Sequence, residues 1–249
     1  MLYYEPKITL LSRPVLLAPE HLPVNWLGES SDGERLAEFA GRLCYMSQRN
    51  PANRTTADYL ENIKKQGHGS VLEHANYSIL LEGVSRSLTH ELVRHRAGFA
   101  YSQLSQRYVD ESQANFVVPP AIAGEQALEA AWRTQVEEAQ RAYVGLVEQL
   151  MERYGWVADK VHRRKMAREA ARGVLPNSTE TKIIATANAR AWRTMLELRS
   201  SEGAELEIRR AALMILRVLQ AEAPAFFSDF EIYMAEDRRE AGRIGYHKV

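Results

Sequence analysis

Residues 74–96, HANYSILLEGVSRSLTHELVRHR, change their hydrophobic period once. In the first half, Tyr77, Ile79 and Leu81 fall on one side of an extended chain and Asn76, Ser78 and Glu82 on the other. That is the period of a half-buried strand, and it stops near Gly83. In the second half, Leu88, Leu92 and His95 share one helical stripe, Ser85 or Ser87 supplies the cap, and Glu91 and Arg94 stand near the helix end. The residues that follow, up to Tyr108, are expected in a loop.

Working outward, KITLLS near the N-terminus is a short strand candidate between Pro6 and Pro14. Leu36, Phe39, Ala40 and Leu43 lie at helical spacing in DGERLAEFAGRLCYMS, and TTADYLENIKKQGH predicts a second helix capped by Thr55 or Thr56. Downstream, NFVVPP reads as a strand ended by Pro119 and Pro120, followed by a long helix over GEQALEAAWRTQVEEAQRAYVGLVEQLMERYG, through Leu128, Trp132, Val136, Tyr143 and Leu150, whose alternating charges form a solvated face. A basic helix, RRKMAREAARGVL, ends before Pro176. TKIIATAN is extended, ARAWRTMLELR is helical, and AELEIRRAALMILRVLQAEA is a helix stopped by Pro224. The tail from about residue 236 to 249 is polar, and it reads as flexible or as a partner contact. Many helices with a few strands between them predict an α+β fold, helices packed on a largely antiparallel sheet. Nothing marks an internal boundary, so residues 1–249 are expected to form a single domain.

Composition sets limits. The 249 residues are 45% hydrophobic, and 32 basic residues balance 32 acidic ones. A neutral chain offers no bulk field for a nucleic acid backbone, so no nucleic acid partner is expected and anion binding must be local. No stretch approaches the ~20 apolar residues of a membrane span, and the N-terminus has no leader pattern. No membrane association is expected, and the single cysteine, Cys44, fits a reducing cytoplasm.

Within these limits few motifs carry chemistry. HELVRH spaces His90 and His95 five apart and puts Arg94 where a second zinc ligand would stand, so no metal site is expected. His68, Ser70, Glu73 and His74 in HGSVLEH match no metal spacing and read first as a turn before the strand. There is no GxSxG elbow and no glycine-rich phosphate loop. Cys44 sits among Leu43, Tyr45 and Met46, which predicts packing rather than a reactive thiolate. The arginines remain. Arg94, Arg96 and Arg107 bracket Ser102, Gln103, Ser105 and Gln106, a set able to cage a phosphate or a base edge. Surface ion pairs explain the same cluster equally well on local chemistry alone.

The ordered string RHRAGFAYSQLSQRY, residues 94–108, resembles the signature of the flavin-dependent thymidylate synthases: RHR, seven or eight residues later a serine, then an arginine and usually a tyrosine, here with the eight-residue spacing. Arg94, His95, Arg96, Ser105, Arg107 and Tyr108 fit it. HGSVLEH, REAARGVLP and NARAWRTMLELRSSEGAELEIRR resemble three further segments of that family, in the same order. The resemblance implies the thymidylate synthase-complementing fold and reductive methylation of dUMP to dTMP. It implies 5,10-methylenetetrahydrofolate as carbon donor, NADPH as reductant and FAD as intermediary. It also implies a cytoplasmic homotetramer whose active sites are shared between subunits.

By this resemblance Ser70, Arg94, His95, Arg96, Gln103, Asn188, Ala189, Arg190 and Thr194 contact FAD; His68 is a further candidate site residue with no role assigned. Glu91, Leu92, Val93, Arg94, Gln103, Leu104, Ser105, Gln106, Arg107 and Arg172 enclose dUMP. Arg199 matches the arginine that ionises uracil N3. Thr194 and Gly203 depart from residues common in relatives, asparagine or histidine at the first and histidine at the second. A nucleotide or single-stranded nucleic acid sensor without turnover is the competing class, and it predicts steeply salt-dependent binding and no chromophore.

Overall fold

The period change at Gly83 is a change of structure: Asn76–Ser85 is a strand and Arg86–Leu92 a helix. The computed structural model describes residues 1–50 and 52–249. Their order is β1 (Leu2–Tyr3), β2 (Lys7–Ser12), α1 (Asp32–Cys44), α2 (Thr56–Lys65), β3 (Asn76–Ser85), α3 (Arg86–Leu92), β4 (Phe99–Gln103) and β5 (Phe116–Val117). There follow α4 (Gln126–Arg153), α5 (Lys160–Ala171), β6 (Glu180–Asn188), α6 (Ala189–Arg199), α7 (Leu206–Glu222), α8 (Pro224–Phe227), β7 (Phe230–Met234) and β8 (Glu240–Ile244). The fold is α+β with a largely antiparallel sheet, whose strands run in the order β2-β3-β6-β4.

The chain forms two compact units. The first comprises Met1–Lys7, Leu81–Glu91 and Ser102–Ile183, and the second Ile8–Leu80, Leu92–Tyr101 and Ile184–Val249. In the first unit, β1 and β5 pair in parallel, Leu2 opposite Phe116, and Leu2 and Trp132 cover a small core of Ala114, Phe116 and Val136. The long α4 buries only Val136 and Tyr143, as its alternating charges predict. Ser85 caps α3 by accepting from Leu88 N at 3.0 Å, which satisfies one of the amides a helix start leaves open. Gly83, at φ 64°, lets β3 approach Tyr3, whose ring lies 2.9 Å from where a Cβ would stand.

In the second unit, Tyr77 and Ile79 of β3 are buried while Asn76 is exposed, the alternation read from the sequence. α6 and α7 bury Trp192, Met195, Leu196, Ile208, Leu216 and Leu219 against Phe226 and Phe227. Thr55 rather than Thr56 caps α2. Pro224 ends α7 and opens α8, a position where the missing N–H costs nothing.

Three expectations are corrected, and one helix buries a face that its apolar spacing did not mark. Phe99–Gln103 is strand β4, not loop, because FAYSQ adds to the sheet edge beside β6. The stripe Leu36, Phe39, Ala40 and Leu43 does form a helix, but α1 buries the opposite face, Gly33, Glu34, Ala37, Glu38, Gly41 and Arg42. The buried carboxylates are met by partners from the fold: Glu34 accepts from Ala225 N at 2.6 Å and Glu38 Oε1 from Arg42 Nε at 2.6 Å, although Glu38 Oε2 is buried without a hydrogen-bond partner. Cys44 is exposed rather than packed. The tail is not loose, since Glu240–Ile244 pairs antiparallel with Phe230–Met234 and Val249 is buried. Among the described residues no helix is long and apolar enough to cross a membrane.

Candidate active site

The RHR segment lies where α3 has ended, so its backbone is held by something other than a helix ladder. His95 N donates to Leu92 O at 3.1 Å, and the Tyr101 hydroxyl donates to Leu92 O at 2.8 Å and to His95 O at 2.9 Å. Phe99 stacks on Tyr101 with centroids 5.5 Å apart and meets the fully buried Trp192 edge-on at 5.0 Å. The indole donates to Tyr77 O at 3.2 Å, which ties this aromatic wall to β3 within the same unit.

Beside the wall is a cavity of about 390 Å³ lined by His95, Arg96, Gly98, Phe99, Asn188, Arg190 and Thr194, among others. Asn188 caps α6, its Oδ1 accepting from Ala191 N at 2.8 Å. Gly98 has φ 76°, and a Cβ there would stand 2.8 Å from Ala191 Cβ and 3.0 Å from Asn188 Nδ2. Only glycine lets the loop come this close to the start of α6. Arg190 donates to Glu73 Oε1 at 2.7 Å and reaches Lys248 O at 3.4 Å. Arg94 and Arg96 are exposed and have no ion pair or side-chain hydrogen bond among the described residues. The cavity therefore presents cations and amides, with Glu73 its one acidic lining group.

Arg199, the last residue of α6, donates from Nε to His95 Nε2 at 3.0 Å. Burial, and then the Arg199 charge, push the imidazole pKa down to about 4, so the ring is neutral at physiological pH.

A second cavity in this unit, about 380 Å³, is lined by Cys44, Tyr45, Tyr59, His68, Ser70 and Arg190, among others. Ser70 and His68 therefore lie apart from the His95 cavity, although Arg190 borders both. Ala189 is fully buried and its N–H is engaged by Ala75 O at 2.8 Å, so it lines neither. Leu92 is a core residue, and Val93 and Arg94 follow it in the turn.

The first unit holds Glu91, Gln103, Leu104, Ser105, Gln106, Arg107 and Arg172. Gln103 Nε2 donates to Thr89 Oγ1 at 3.0 Å and to Thr181 Oγ1 at 3.4 Å, which turns its amide carbonyl away from both hydroxyls. Leu104 N donates to Lys182 O, and the Ser105 carbonyl accepts from Tyr108 N and Val109 N. Arg107 Nε donates to Glu169 Oε2 at 2.7 Å. Gln106 is buried, and its Nε2 has no hydrogen-bond partner in the structure. A pocket of about 210 Å³ joins Arg107 and Tyr108 to Val161, Arg164, Lys165 and Arg168 of α5. Arg168 fixes its rim, donating to Tyr108 O at 2.7 Å and Asp110 Oδ2 at 2.8 Å, and Lys165 Nζ lies 5.1 Å over the Tyr108 ring. Sequence reading recognised α5 as basic but had no signal that its cations face Arg107. It also missed Gly98 and Phe99, which became visible only once β4 was a strand.

The description "Thymidylate synthase complementing protein" matches residues 27–225. A flavin-dependent thymidylate synthase of Mycobacterium sp. (strain JLS) is 47% identical over 242 residues, covering 94% of this chain and 93% of the relative. Enzymes of the same name from Mycobacterium marinum and Mycobacterium tuberculosis are 45% identical over 236 residues, again covering 94% and 93%.

Proposed function

Because the chain belongs to the thymidylate synthase complementing family, we propose that it is a flavin-dependent thymidylate synthase, converting dUMP to dTMP. The proposal extends to 5,10-methylenetetrahydrofolate as carbon donor and NADPH as reductant. It further includes a cytoplasmic homotetramer with active sites shared between subunits, each chain contributing one catalytic domain. The observation that carries the reading is the His95 cavity: cations and amides line it, and the arginine expected at the uracil ring is bonded to one of its walls.

The residues fit FAD. Arg96, Arg190 and the Asn188 amide are suited to its pyrophosphate and ring edges, and the missing side chain at Gly98 lets the loop close on the start of α6 so that these groups line one cavity. When bound, the flavin supplies the hydride transfer that amino-acid side chains cannot perform. The chain itself supplies binding and charge. A guanidinium at Arg199 stabilises the uracil N3 anion as any opposite charge would, and the electron density this places in the ring activates C5 for attack. In the first unit, Arg107 supported by the α5 cations is suited to the dUMP phosphate, and Ser105 adds a hydroxyl beside it. No side-chain nucleophile is required.

Purified protein tests the reading directly. It should be yellow with bound FAD, its oxidation of NADPH should depend on dUMP, and dTMP should form when methylenetetrahydrofolate is also present. Arg199→Ala should abolish turnover while flavin absorbance is largely retained. A colourless protein that does not take up FAD and shows no dUMP-dependent oxidation would refute it.

A further inference from the structure

We propose that His95 is the positioning residue for Arg199, aiming its guanidinium by accepting the Nε hydrogen bond, in addition to bordering the cavity assigned to flavin. The inference rests on the thymidylate synthase reading and deepens it.

Three features of the structure support it. The first is direction. A guanidinium is planar, so holding its Nε–H on His95 Nε2 at 3.0 Å, with the side chain tethered to the end of α6, restricts the heading of the two Nη groups. The second is rigidity of the acceptor. The His95 peptide is clamped on both sides, by Leu92 O at its N–H and by the Tyr101 hydroxyl at its carbonyl, and its ring meets Phe99 with centroids 6.2 Å apart. Phe99 is in turn fixed by Tyr101 and Trp192. A loop residue held this firmly can transmit a defined orientation, which side chains on mobile loops do not.

The third feature is chemical type. To accept from Arg199, Nε2 must carry a lone pair, so the ring is neutral with its proton on Nδ1. A neutral acceptor orients the arginine without cancelling any of its charge through this bond. A carboxylate in the same place would reduce the very charge that N3 ionisation needs. The charged groups that share the cavity with the imidazole are Arg96, Arg190 and Glu73, and Arg190 is bonded to Glu73. Together with Arg199 they leave His95 facing a net positive surrounding, which opposes its protonation.

The test compares His95→Leu, His95→Gln and Arg199→Ala, each saturated with FAD and normalised to bound flavin, using dUMP labelled with 15N at N3. In the parent enzyme the bound N3 resonance should report deprotonation at a lower pH than in free dUMP. His95→Leu should move that transition back toward the free value and lower kcat about tenfold, with a smaller change in the KM for dUMP. His95→Gln, which offers Oε1 as an acceptor, should recover part of both effects. If His95→Leu keeps the parental N3 transition while Arg199→Ala loses it, the positioning role is wrong and the family reading stands. If the parent itself neither binds dUMP nor shifts N3, both fall. A His95→Leu protein that lowers kcat with an unshifted N3 transition also overturns the proposal, because that pattern belongs to a purely structural effect.

Discussion

Asp229 receives two parallel hydrogen bonds from Arg193, at 2.6 and 2.8 Å, and both side chains are buried. Lys64, equally buried, adds a third bond to the same carboxylate at 3.1 Å. Arg193 also donates to the carbonyls of Phe226, Tyr246 and Val249, so one ion pair gathers α6, α8 and the tail.

Removing the anion should leave Arg193 buried without a carboxylate partner, while Lys64 keeps Glu61 at 3.0 Å. Asp229→Asn is expected to destabilise the protein by about 3 kcal/mol, read as a lowered midpoint in urea denaturation with little change in slope. The pH dependence follows from the carboxyl itself. Burial pushes its pKa up, but the Arg193 bonds and charge, joined by Lys64, outweigh that and hold it at about 2, against an ordinary value near 3.8. The native state thus binds its proton later than the unfolded state. The stabilisation is fully present above about pH 4 and is lost as pH falls toward 2. A variant whose acid unfolding midpoint matches the parent would contradict this.

His95 should behave oppositely to a surface histidine. With its pKa depressed to about 4, it should show the neutral 15N pattern, proton on Nδ1, across pH 5 to 8. The folded state resists the proton that the unfolded state accepts near 6.5, so this residue withdraws stability as pH falls from about 6.5 toward 4 and contributes no change above that range. A His95 resonance titrating near 6.5 would contradict the burial of this ring beside Arg199 in solution.

Arg107 is the cation on which phosphate recognition is expected to depend. Arg107→Ala should raise the KM for dUMP roughly tenfold to a hundredfold, the scale of a lost charge-assisted pair, with a smaller effect on kcat. Arg107→Lys should recover only part, because a point charge cannot form the planar fork. Steady-state kinetics at fixed ionic strength decides it; an unchanged KM in Arg107→Ala would place the phosphate elsewhere.

Gly98 leaves little room for any side chain. Gly98→Ala puts a methyl 2.8 Å from Ala191 Cβ at φ 76°, so strain of about 1–3 kcal/mol is expected together with reduced flavin content in the purified protein. Absorbance at the flavin band measures the second effect. Full flavin occupancy in this variant would show that the loop does not border the cofactor.

Where structure is encoded locally, the sequence was readable. Tyr77, Ile79 and Leu81 alternate because one strand face is dry, and Ser85 stands where a helix start needs an acceptor. What could not be read depends on distant partners. Glu34 and Glu38 look like surface residues until Ala225 N and Arg42 are found beside them, so helical spacing alone could not show which face of α1 is buried. The tail looked loose because GRIGYHKV has no marked pattern, yet its carbonyls satisfy Arg193. The candidate site divides similarly. The resemblance identified His95, Arg96, Asn188, Arg190 and Thr194, which do share a cavity, whereas Ser70 and His68 border another, and the α5 cations around Arg107 depended on helix orientation.

Arg190 borders both cavities of the second unit, and a guanidinium has only one position at a time. Occupants of the two spaces are therefore linked. A ligand that draws Arg190 toward itself withdraws a donor from its neighbour, and one that pins it in a shared orientation spares the neighbour that ordering. By reciprocity, whatever the first does to the affinity of the second, the second does equally to the first. Dissociation constants measured for either ligand alone will thus not add to the free energy of filling both.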